Sequence, residues 1–110
     1  MVINGSAVEM ELDTGAAVTV MSAKQFHQSF PSVKLTPTVV RLRTYTGALV
    51  RLQGVATVNV QHGEASVQLP LYVVDGAGPP LLGREWLRTI RLDWNKIWEL
   101  NHISSLNFAI

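Results

Sequence analysis

Apolar and polar residues alternate along most of the chain in short runs, the period of a strand with one buried face. Val2 to Leu12 reads as two short strands broken at Asn4-Gly5, a dipeptide that favours the tightest hairpin turns. The alternation stops at Asp13-Thr14-Gly15 and resumes from Val18 to Met21 as a buried strand. Ser22 to Phe30 has room for a helical turn before Pro31, which ends it. Val39 to Leu42 and Leu49 to Leu52 flank Tyr45-Thr46-Gly47 and predict a long hairpin with a polar, glycine-containing tip. A second hairpin follows, Val55 to Val60 and Ala65 to Val74 around His62-Gly63. Asp75 to Pro80 is a loop of Gly and Pro, Leu81-Leu82 a short apolar strand, and Gly83 opens a helix over about Arg84 to Thr89. After Asp93-Trp94 a weakly alternating tail runs to Ile110. The pattern as a whole predicts a mainly β domain.

At 110 residues the chain holds one domain and one core, so a mechanism that needs two domains must recruit a second chain. The net charge is +1, from nine Lys and Arg against eight Asp and Glu, which leaves no electrostatic footprint for nucleic acid or an anionic membrane. The absence of cysteine excludes disulfides, thiol nucleophiles and Cys-type zinc sites, so stability must come from packing or oligomerisation. No apolar run approaches the roughly 20 residues of a membrane-spanning helix, and the N-terminus has neither the basic nor the apolar region of a signal peptide. The expectation is a soluble, unexported domain that enters its first strand at once, as a piece of something longer with an added initiator methionine would.

Peptide hydrolysis by activated water can be run by two carboxylates that share one proton, one acting as base while the other acts as acid. Asp13 is the candidate: Leu12 precedes it, a hydroxyl residue and a glycine follow, and strands bracket it, so it projects from a sheet on a tight loop. Alone, Asp-Thr-Gly is an ordinary turn. Here Glu11-Leu12-Asp13-Thr14-Gly15-Ala16-Ala17-Val18 is answered far downstream by Leu81-Leu82-Gly83-Arg84.

With those two motifs and a mid-chain hairpin between them, the chain resembles the retropepsin family from Val2 to Trp94. Within it the chain is most similar to the proteases of gypsy-type retrotransposons, through Thr44-Tyr45-Thr46-Gly47, Leu82-Gly83-Arg84-Glu85-Trp86-Leu87 and Leu92-Asp93-Trp94. The resemblance implies a closed β-barrel-like acid protease fold over residues 1–95, with one short C-terminal helix, active as a homodimer on extended polypeptide within a polyprotein or virus-like particle in the cytoplasm. It implies no cofactor, no metal and no nucleic acid. Carried over residue by residue, Asp13 supplies the catalytic carboxylate, and Thr14 the hydroxyl that locks two active-site loops across the dimer axis. Gly15, Ala16 and Ala17 lie beside the substrate backbone. Tyr45, Thr46, Gly47 and Ala48 form the tip of a flap, and Val20, Pro79 and Leu81 line apolar pockets. Gly83 lets its strand pass close beneath the catalytic loop, and Arg84 begins the supporting helix.

One Asp-Thr-Gly in a chain this short means that the second carboxylate comes from a second subunit. Asp75-Gly76-Ala77 lacks the hydroxyl residue, and Asp93 lies near the tail, so neither replaces it. The chain departs from the family in two ways. Retroviral members often carry an acid after Asp-Thr-Gly-Ala that pairs with the arginine of Gly-Arg; here that residue is Ala17, leaving Arg84 to Glu85, to Glu11 or to solvent. Only twelve residues precede Asp13, so the N-terminal strand of the retroviral dimer sheet is expected to be absent or cut away. For residues 96–110 two readings stand, an interface hairpin anchored by Trp98 that replaces this strand, or a linker.

His27, His62 and His102 have no ligand spacing, and surface or packing roles are expected of them. Trp86, Trp94 and Trp98 are expected in the core or the dimer interface, and Arg41, Arg43 and Arg51 on the outer face of the flap hairpin, with contact to acidic substrate residues as the lesser alternative. Two further readings remain open: a cellular retropepsin-like protease, domesticated or of the ubiquitin-linked, DNA-damage-inducible type, and a catalytically silent dimerisation module.

Overall fold

A computed structural model describes residues 1–90 with the exception of Tyr45. The strands are β1 (Val2–Ile3), β2 (Ser6–Ala7), β3 (Glu11–Leu12), β4 (Val20–Ser22), β5 (Leu42–Arg43), β6 (Leu49–Val50), β7 (Leu52–His62), β8 (Ala65–Val74) and β9 (Leu81–Leu82). Helix α1 spans Ala23–Ser29 and α2 spans Arg84–Ile90. The fold is mainly β, as the alternation implies.

Seven strands form one sheet in the order β2-β1-β7-β8-β4-β9-β3, which curls into a half-barrel with β2 and β3 at its edges among the described residues. Its spine is the β7–β8 hairpin, paired from Leu52↔Val74 to His62↔Ala65. Along β7, Ala56, Val58 and Val60 are buried while Thr57, Asn59 and Gln61 are exposed. These inward positions meet Ile3, Met21, Phe26, Leu71, Val73 and Trp86, all with essentially no exposure, and together they form the core. Burying one such side chain stabilises the fold by about 1.5–3 kcal/mol. β7 runs further back than Val55, where the sequence pattern begins, because a bulge between Leu52 and Gly54 absorbs one residue and lets the pairing continue.

Two elements differ from the sequence expectation. The segment after Met21 is a full seven-residue helix rather than a turn. Ser22 caps it, its hydroxyl accepting the Gln25 N–H at 3.3 Å, and Phe26 and Phe30, one turn apart, pack with ring centroids 5.6 Å apart. The flap hairpin is shorter than expected, with only Leu42↔Val50 and Arg43↔Leu49 paired. Val40 gives its N–H to the hydroxyl of Thr38 at 3.1 Å, a local bond that withdraws it from the ladder.

Trp86, expected in core or interface, is in the core: it has no exposure and donates its indole N–H to the Pro70 carbonyl at 2.7 Å. No described helix is long and apolar enough to cross a membrane. Trp94, Trp98, His102 and the 96–110 tail lie outside the described residues.

Candidate active site

The site is made by strand β9, which enters the sheet between β3 and β4. It pairs parallel to β3 (Glu11↔Leu81, Leu12↔Leu82) and antiparallel to β4 (Val20↔Leu81). The loop 13–19 joins β3 to β4 and must therefore arch over the end of β9. Leu12 and Leu82 bring the two sequence motifs into register, so Asp13 leaves the sheet where Gly83 does.

Five hydrogen bonds from residues 82–85 strap that loop down. The Leu82 carbonyl accepts the Asp13 N–H at 3.0 Å; the N–H groups of Arg84 and Glu85, in the first turn of α2, donate to the Ala16 and Ala17 carbonyls at 2.9 and 3.0 Å. The Gly83 N–H donates to the Thr19 hydroxyl at 3.0 Å, and the Arg84 guanidinium to the Thr14 carbonyl at 2.9 Å. Within the loop, Ala16 N–H closes on the Asp13 carbonyl at 3.1 Å and Gly15 N–H on Asp13 Oδ1 at 3.0 Å. One carboxylate oxygen is thus fixed by the backbone, and Asp13 is half-exposed at the mouth of the loop. The Gly83 backbone passes so near the loop that a Cβ there would lie 3.0 Å from the Ala16 carbonyl oxygen and 2.5 Å from the Val18 carbonyl carbon. Glycine at this position is a requirement of space.

Thr19 was not singled out by sequence. It has no exposure; its hydroxyl takes Gly83 and its carbonyl takes the Tyr72 N–H at 3.0 Å, so one buried residue joins β8, β9 and the loop. A hydroxyl inside the apolar run Val18 to Met21 is the signal that could have shown it. Thr19→Val keeps the shape and leaves the Gly83 N–H buried without a partner. It should lower unfolding free energy by about 1–3 kcal/mol, read by denaturant titration.

Arg84 pairs with neither Glu85 nor Glu11 among the described residues. It is exposed, as one of the three sequence readings had it, and its guanidinium also donates to a backbone carbonyl, that of Thr14, which the sequence did not suggest. Glu85 leaves its Oε1 buried with no hydrogen-bond partner. Burial first, and then the negative charge of Glu85, push the Tyr72 phenol above its ordinary pKa and keep it neutral.

The other sequence-derived positions fall in two places. Val20 and Leu81 are paired across β4 and β9 and half-buried beside the loop, while Pro79 is exposed just before β9. Thr14 is half-buried, and Ala17 is exposed. Thr46, Gly47 and Ala48 are exposed at the flap tip; Tyr45 lies outside the described residues. The tip is closed by Gly47 N–H on the Thr44 carbonyl at 2.9 Å and Thr44 N–H on the Ala48 carbonyl at 2.8 Å. Gly47 has φ +93°, which a side chain would oppose, and its carbonyl accepts from the Arg43 guanidinium at 2.9 Å. No three His, Cys, Asp or Glu side chains gather as a metal cage among the described residues.

Residues 1–89 match the family described as "gag-polyprotein putative aspartyl protease". No curated protein matches the chain. Among solved structures it is similar to the EIAV protease in complex with the inhibitor HBY-793, with a TM-score of 0.71 and 18% identity over 84% of this chain and 85% of that one. It is also similar to the retroviral protease-like domain of Ddi1 from Leishmania major, with a TM-score of 0.58 and 18% identity over 83% and 74%. A retropepsin-like aspartic protease from Rickettsia conorii matches with a TM-score of 0.53 and 20% identity over 79% and 65%. The chain belongs to the gag-polyprotein aspartyl protease family, and its fold is that of the retropepsins.

Proposed function

We propose that the chain is one subunit of a homodimeric aspartic endopeptidase in which each of two copies contributes its Asp13. The observation that carries this reading is the strapped loop, which holds one carboxylate, half-exposed and fixed at one oxygen by Gly15, at the end of a sheet. A single such carboxylate is half of a dyad. With two facing each other, like charges at short range cannot both ionise comfortably, so the pair keeps one proton between them. The ionised Asp13 takes a proton from water, which attacks the scissile carbonyl while the protonated Asp13 donates to its oxygen. The roles then exchange as the leaving amine is protonated. Thr46 to Ala48 close over the peptide and exclude bulk water. Val20, Pro79 and Leu81 offer apolar pockets, and the loop at Gly15 to Ala17 takes the substrate backbone. The family name supports a polyprotein as the natural substrate, and the flap and Gly-Arg motifs support a gypsy-type retrotransposon as its source.

Incubating the protein with an unfolded polypeptide tests the reading: cleavage should appear, and a statine-type transition-state mimic should block it. Activity per subunit should also fall on dilution, since a monomer carries half a site. Specific activity that stays constant while sedimentation shows monomers would refute the shared site.

A further inference from the structure

We propose that Arg84 is a specificity-determining residue that receives an acidic side chain of the substrate, so that the peptide supplies the carboxylate this loop lacks. The inference rests on the reading of the Asp13 loop as a peptide-binding site and goes beyond it by naming a class of substrate.

A guanidinium carries five N–H donors in a rigid fork suited to a carboxylate. One bond holds the Arg84 fork to the Thr14 carbonyl, next to Asp13 in sequence, so the exposed guanidinium lies against the Asp13 loop. Among the described residues no acid neutralises the rest of the fork. Among the described residues the ion pair formed is Arg51 with Asp75 at 3.9 Å, and Arg84 forms none. Glu85, its neighbour, does not turn to it: that carboxyl buries Oε1 and acts on Tyr72 instead. The carbonyls of Ala16 and Ala17 are already engaged by the N–H groups of Arg84 and Glu85. Ala17 presents only a methyl group, exposed, on the stretch of loop where the backbone of a peptide would lie.

The flap carries charge of the same sign. Between residues 38 and 52 there are three arginines and no acid. Arg43 is committed to Gly47 and Arg51 faces Asp75, while Arg41, with Thr38, Val40 and Leu49 to Leu52, lines a cavity of about 470 Å³ beside the hairpin. An extended peptide between loop and flap therefore lies under a hairpin that has positive charge and no acid of its own. Its fit is to a segment with an apolar scissile bond and an acid flanking it, where Arg84 can take the carboxylate through charge-assisted hydrogen bonds.

The test uses the 110-residue chain carrying Asp13→Asn, which binds without turnover, and apolar eight-residue peptides in which a single Glu or its isostere Gln is scanned along the sequence. Calorimetric titration should show, at one flanking position, Glu bound about tenfold more tightly than Gln, a preference that shrinks as salt is raised. Arg84→Gln should abolish it. Ala17→Asp, which keeps the guanidinium and gives it an internal acid, should abolish it too and guards against a misfolded arginine variant. Equal binding of Glu and Gln peptides at every position overturns the inference while leaving the peptide site intact, as does a preference that survives both substitutions. Failure of every peptide to bind overturns the site itself, and the inference with it.

Discussion

Asp13→Asn should reduce cleavage of an unfolded polypeptide by on the order of 10⁴-fold while leaving unfolding free energy nearly unchanged. Asn keeps the Oδ1 that accepts the Gly15 N–H and sits in the same loop under the same strap, so the geometry survives while the acid-base chemistry does not. The variant also reports on stoichiometry. Mixed in equal amounts with freely exchanging wild-type subunits, it should leave roughly a quarter of the dimers with two carboxylates, halving activity per wild-type chain. Activity strictly proportional to the wild-type fraction would point to a site complete in one chain, and full activity in the pure variant would end the carboxylate mechanism.

Gly83→Ala should be the most damaging single methyl group in the molecule. The new Cβ would overlap the Val18 carbonyl oxygen and approach the Ala16 oxygen to 3.0 Å. Both are backbone atoms, held by the strap and by β4, so no side chain can swing aside. The expected loss is about 3 kcal/mol or more, a large share of what a domain of this size has to lose. If the protein folds at all, β9 and the loop must part, and Asp13 moves with them. A melting curve within a degree or two of wild type would show that the loop yields more easily than its hydrogen bonds suggest.

What the sequence made legible was whatever depends on neighbours along the chain. Alternation through Val55 to Val60 and Ala65 to Val74 shows the central hairpin because strand faces repeat every second residue. Leu12-Asp13-Thr14-Gly15 and Leu81-Leu82-Gly83-Arg84 point to one site because two motifs of that kind seldom coincide by accident. The partner of Arg84 was illegible for the opposite reason. A charge in a sequence suggests an opposite charge, whereas the guanidinium takes a backbone carbonyl from a residue 70 positions away, and a carbonyl carries no residue-type signal. Thr19 hid in the same way, a hydroxyl among valines whose use appears only when Gly83 arrives beside it. Helix α1 was read as a turn because only Ser22 and the Phe26–Phe30 spacing mark it, and both are weak signals in a short segment.

The placing of β9 between β3 and β4 also sets an order of assembly. Every hydrogen bond of the strap joins residues 13–19 to residues 82–85, so none can form until nearly the whole described chain has been made. Contacts of such long range are slow to form, since the intervening loop must be closed before they return any stability. On a ribosome, the β7–β8 hairpin can form while Asp13 still hangs on an open strand pair. A chain built this way emerges without its Asp13 loop in place and acquires it only when its last described strand slides home, so the strapped carboxylate is among the last features of the fold to form.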